Sequence, residues 1–151
     1  VKYQTSPNRW SCLLTSFANV LDCEVKQLVE EIGHDGSAIL YQGLADPIRR
    51  RAFHIQEFFP CCHSRGFVPL NIDAQPVLAV PYSHYSLTLD GTDLLRKFMT
   101  VYKGVLIGET RGQSHAWSWD TIDLFDPSIG RMFDIRNVAI RSFISLITIQ
   151  S

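Results

Sequence analysis

The chain has 151 residues, 46% of them hydrophobic, and its 14 Lys and Arg against 15 Asp and Glu leave a net charge of -1. That length and apolar content suit one compact domain with a sizeable core and exclude a disordered polymer. Near-neutral charge, with no basic run long enough to track a phosphate backbone, argues against nucleic acid as a partner, and no apolar run approaches the ~20 residues of a membrane span, so no membrane insertion is expected.

Leu13, Leu14, Phe17, Ala18 and Leu21 recur at helical spacing behind Asn8 and Ser11, two candidate N-caps, and predict a buried helix beginning near Cys12. Val25, Leu28, Val29 and Ile32 make one stripe, so a second helix is expected from Glu24 to Ile32, stopped by Gly33. A third is expected to start at Asp46-Pro47, carry Ile48, Ala52, Ile55 and Phe59 on one face, and end at Pro60. Its Arg49, Arg50 and Arg51 read as a solvated face partly balanced by Glu57. From Gly66 the pattern turns to short β-rich runs over residues 67–72, 77–80, 105–108, 115–119 and 122–125. A helix from about Thr92 to Val101, with Leu94, Leu95, Phe98 and Val101 on one face, interrupts them. The tail reads as a helix over 137–145 followed by a closing strand over 146–149. The sum is an α+β domain over residues 1–151, N-terminal helices packed on a C-terminal antiparallel β-sheet.

Cysteines occur at positions 12, 23, 61 and 62. A chain this long and apolar needs no disulfide staples, and adjacent Cys61 and Cys62 beside His63 lack the paired spacing of a zinc site. Cys23, Cys61 and Cys62 therefore read as ordinary buried thiols, and a cytoplasmic location is favoured over a secreted one. The chain opens on Val1 rather than Met, which stays compatible with a leader removed upstream.

Cys12 is the exception, because the start of a helix supplies the positive potential that stabilises a thiolate. A thiol nucleophile needs an imidazole within hydrogen-bond reach and a carboxylate or amide behind the ring to fix its tautomer. His115 opens the aromatic strand Gln113-Ser114-His115-Ala116-Trp117-Ser118-Trp119, and Asp126 ends the next one. A tight turn at Asp120-Thr121 would set the two strands antiparallel and bring His115 and Asp126 to the same end of the hairpin. His84 is a rival base in a similar aromatic setting. Asp120 and Asp123 are rival orienters, though Asp120 suits the turn and Asp123 the opposite strand face.

The segment from Trp10 through Cys12 to Ala18, the pair His115-Ala116, and Asp126-Pro127-Ser128-x-Gly130 together resemble the papain-like peptidases related to the bacteriocin-processing, double-glycine leader peptidases. The C-terminal half is also similar to papain-like effector proteases of bacteria. The resemblance implies a papain-like two-part fold, a protein or peptide substrate, amide hydrolysis by a Cys12, His115, Asp126 triad, and neither metal nor cofactor. Leu13 stands where many relatives have glycine. The glutamine that relatives carry about six residues before the nucleophile, an oxyanion donor worth roughly 3 kcal/mol, has no counterpart at Ser6, so Gln4 and Asn8 are the candidates for that role. Trp10 and Trp117 are candidate substrate-lining residues. Two other functions use the same residues: attack on a side-chain amide, as in a deamidase or transglutaminase, and peptide capture by a catalytically inactive papain-like module.

Overall fold

The computed structural model describes residues 1–41, 48–74, 78–82, 85–89 and 91–149. Helix α1 (Cys12–Val20) is buried almost all round, from Leu14 to Val20. It ends in a Schellman turn, in which Asp22 takes φ 56° and the Cys23 N–H reaches the Ala18 carbonyl. Helix α2 (Val25–Ile32) follows directly; the Gln27 side chain accepts from the Glu24 N–H at 2.8 Å, and Gly33 at φ 93° stops it.

The expected third helix is not formed as one piece. Residues Ile48–Arg50 are a strand (β2) paired antiparallel with β1 (Ile39–Tyr41), a 3-10 turn covers Ile55–Phe58, and α3 (Phe59–His63) follows. The Asp46-Pro47 start lies outside the described residues. Phe53 and Phe58 explain the break: both reach the core, where Phe58 stacks on Phe17 at 4.3 Å and meets Phe53 at 5.7 Å. Five residues apart on a continuous helix, they would point about 140° away from each other. Pro60 falls in the first turn of α3, where its missing N–H costs nothing, so it opens a helix instead of ending one. Glu57 is engaged by His34 and by the His54 N–H, and Arg51 lies 4.8 Å over the Trp10 ring.

Six strands form one antiparallel sheet in the order β3 (Phe67–Asp73), β10 (Ala139–Thr148), β6 (Gly104–Thr110), β7 (Gln113–Trp119), β8 (Leu124–Asp126), β9 (Arg131–Phe133). A separate hairpin pairs β4 (Leu78–Tyr82) with β5 (Tyr85–Leu89), and α4 (Gly91–Val101) packs on β3 and β10. The tail is strand from Ala139 to Thr148, after a 3-10 turn over Ile135–Asn137, where a helix over 137–145 was expected. β10 is paired on both sides and buried from Ser142 to Leu146. A strand covered on both faces loses the alternation that would identify it, and a bulge between Ile140 and Ser142 shifts the alternation further.

The sheet divides the core in two. Val105, Ala116, Ile144 and Leu146 face α1, α2 and α3, whereas their strand neighbours Leu106, Trp117 and Phe143 face Leu95 and Met99 of α4. The fold is thus the expected α+β arrangement, with N-terminal helices laid on the face of an antiparallel sheet. No helix among the described residues is long and apolar enough to cross a membrane.

Candidate active site

Cys12 is the first residue of α1, and the packing of α1 on β6 and β7 decides what it faces. Buried polar groups fix that packing. The Asn19 amide donates to Ser118 Oγ at 3.1 Å, Ser118 Oγ donates to the Ser16 carbonyl at 3.3 Å, and Asn19 Oδ1 accepts the Gln4 N–H at 2.9 Å. Helix, strand and N-terminal segment are therefore joined through groups whose burial would be costly without these bonds.

On the next hairpin, Ser118 pairs with Phe125 and Trp119 with Leu124. The turn between them is made by Asp120, whose Oδ1 accepts from the Ile122 and Asp123 N–H groups at 2.9 and 2.6 Å. Asp120 is thus engaged locally, and Asp123 is exposed at the turn. Asp126 is buried at the end of β8, where Oδ1 lies 2.8 Å from His115 Nε2 and accepts the Ser128 N–H, also at 2.8 Å. The following turn closes when Gly130, at φ 68°, donates its N–H to the Asp126 carbonyl, and the Ser6 N–H binds the Pro127 carbonyl. His84 lies outside the described residues.

With Nε2 engaged by Asp126, the other nitrogen of His115 is left for Cys12, which lines the same two pockets as the ring. Burial pushes the imidazole pKa down, but hydrogen bonds to Asp126 and Cys12 and the charges of both outweigh it, raising the value from 6.5 to about 9. Burial likewise pushes the Asp126 carboxyl up, and the His115 hydrogen bond and charge with the Ser128 and Ile129 N–H groups bring it below its usual range. The other three thiols stand apart: burial pushes Cys23 and Cys61 up and Cys62 up to about 12. Cys61 and Cys62 point into the core beneath α1 and α2 while His63 is exposed.

Two pockets meet at Cys12 and His115. One, of about 310 Å³, is walled by Leu13, Phe53, Ile55, Ile107 and Ala116; the other, of about 550 Å³, by Ser6, Asn8, Arg9, Thr110, Gln113 and Ser128. The position of Asn8 in the second pocket separates the two oxyanion candidates. Its Oδ1 accepts from the Trp10 N–H at 3.2 Å and the Ser11 hydroxyl at 2.6 Å, which leaves its amide N–H groups as donors in a residue that lines the pocket. Ser11 therefore holds Asn8 and gives α1 no side-chain cap, contrary to the N-cap reading of its hydroxyl. Gln4 is not at the site. Its amide donates to Asn19 Oδ1 and the Cys23 carbonyl and accepts the Val25 N–H, at the far end of α1.

The two tryptophans are also not pocket walls. Trp117 is fully buried and meets His115 edge-on at 4.7 Å, so it braces the imidazole from the core. Trp10 donates its indole N–H to the Asp35 carbonyl at 3.0 Å and lies beneath Arg51, tying together two loops beside the site. The pocket residues Arg9, Phe53, Ile107, Thr110 and Gln113 carried no sequence signal, since nothing in their local pattern marks them as neighbours of Cys12. Compared with known protein families, curated proteins and solved structures, the chain returns no match.

Proposed function

We propose that this chain is a cysteine hydrolase that opens peptide bonds, with Cys12 as nucleophile, His115 as acid and base, and Asp126 as the group that orients the ring. The observation that carries the reading is an imidazole held by a buried carboxylate and set beside the Cys12 thiol at the junction of two pockets. The likeness of the three short motifs to papain-like peptidases points the same way and suggests a peptide substrate.

The proposed reaction starts with the Cys12 proton on His115 and sulfur attacking the substrate carbonyl carbon, which forms a C–S bond and moves the π pair onto oxygen. That oxygen is received by the uncapped N–H groups of the first turn of α1 and by the Asn8 amide. When the C–N bond breaks, the imidazolium gives its proton to the departing amine and a thioester remains on Cys12. Neutral His115 then takes a proton from water as the hydroxide adds to the thioester, and the C–S bond breaks to return the sulfur. Donation to the amine needs the charged ring, so cleavage falls as pH rises through about 9.

The test is incubation with a library of unstructured peptides, reading new N-termini by mass spectrometry and released ammonia in parallel, with Cys12→Ala as control. New N-termini absent from the variant support the reading. Ammonia without new N-termini would move the chemistry to side-chain amides, and neither product would overturn hydrolysis in favour of an inactive binding cleft.

A further inference from the structure

The two pockets that flank Cys12 differ in charge, and resting on the hydrolase reading we infer that Arg9 selects substrates with a carboxylate beside the scissile bond. The polar pocket offers hydroxyl and amide groups from Ser6, Asn8, Thr110, Gln113 and Ser128, and Arg9 adds a permanent positive charge to a lining that also holds the His115 ring. Asp126, the carboxylate of that lining, is buried and already held by His115 and the Ser128 N–H. Arg9 makes no ion pair among the described residues, whereas Arg65, Arg136 and Arg141 are paired with Glu31, Asp134 and Glu109. An unpaired guanidinium over a concave polar surface is a fixed fork of donors matched to a carboxylate, and it raises the local concentration of anions near the sulfur.

A volume of about 550 Å³ accommodates an Asp or Glu side chain or a free C-terminal carboxylate. The apolar pocket has neither Lys nor Arg in its lining, so the Arg9 charge acts on the polar side. The favoured substrate class is a peptide with an acidic group on one side of the cleaved bond and an aliphatic or aromatic side chain on the other.

A pair of small alkylating agents tests the selection without a known substrate. Iodoacetate and iodoacetamide both lose iodide as sulfur forms the new C–S bond, and they differ in carrying a carboxylate or a neutral amide. Their rates at Cys12, read by peptide mass spectrometry, give a ratio that should fall about fivefold in Arg9→Gln and further in Arg9→Glu. Arg9→Lys should keep most of the ratio, and added salt should lower it in the wild-type protein. An unchanged ratio in Arg9→Gln and Arg9→Glu, with Cys12 still the fastest thiol, would overturn the selection and leave the hydrolase standing. A Cys12 that reacts with both agents no faster than Cys23 would overturn both.

Discussion

Asp126→Asn removes the charge behind His115 while keeping an oxygen that can accept from Nε2 and from the Ser128 N–H. In the wild-type protein the ring is raised from 6.5 to about 9, with Asp126 contributing both hydrogen bond and charge. A neighbouring carboxylate is worth about one to three pKa units, so the ring of the variant should titrate between about 6 and about 8. The same shift sets a stability profile. A group whose folded pKa lies above its unfolded one stabilises fully below the unfolded value and ceases to do so as pH rises through the folded value. The window here runs from 6.5 to about 9. NMR titration of the histidine Cε1–H groups, with His115 assigned through His115→Gln, reads the midpoint, and urea unfolding at pH 6 and pH 9.5 reads the linkage. The variant should lose less stability between those two pH values than the wild type. A variant midpoint within about half a unit of the wild-type one would refute the claim that Asp126 holds the ring.

The oxyanion assignment separates Asn8 from Gln4: Asn8→Ala should lower kcat on a cleaved peptide about 100-fold, measured by steady-state kinetics. Gln4→Ala, which breaks three hydrogen bonds at the far end of α1, should instead lower stability by about 1 to 3 kcal/mol in urea unfolding and leave kcat near wild type. Gly130→Ala should cost about 1 to 2 kcal/mol, because the residue sits at φ 68° and an added Cβ would lie 2.7 Å from Thr5 Oγ1. Combining it with Thr5→Ala should recover the steric part of that loss and not the backbone part.

Much of this arrangement was readable from residue patterns where one rule acted alone. Helices α1, α2 and α4 followed from apolar stripes, and the Asp120 turn followed from a residue type that bonds its own backbone. Reading failed where tertiary packing overrode the local rule. Phe53 and Phe58 had to reach one aromatic cluster, which a helix through both would prevent, and β10 is covered on both faces, which erased its period. The strand β9 was too short and too exposed to leave a pattern. At the site, the pairing of His115 with Asp126 was legible because hairpin geometry is local, whereas the approach of Cys12 rests on the packing of α1 against β6 and β7. The engagement of Gln4 by Asn19, and of Trp10 by Asp35, was not, because it depends on segments that meet only in the fold.

The most direct test of the account is alkylation of the native protein by a limiting dose of iodoacetamide, located by peptide mass spectrometry, beside His115→Ala. Cys12 is half-buried, and Cys23, Cys61 and Cys62 are buried thiols pushed up in pKa, so exposure alone gives Cys12 some advantage. The imidazole pairing predicts a further advantage of at least about tenfold at pH 7 that disappears in His115→Ala. If Cys12 labels equally fast with and without His115, the thiol and the ring do not act together, and the catalytic reading is contradicted.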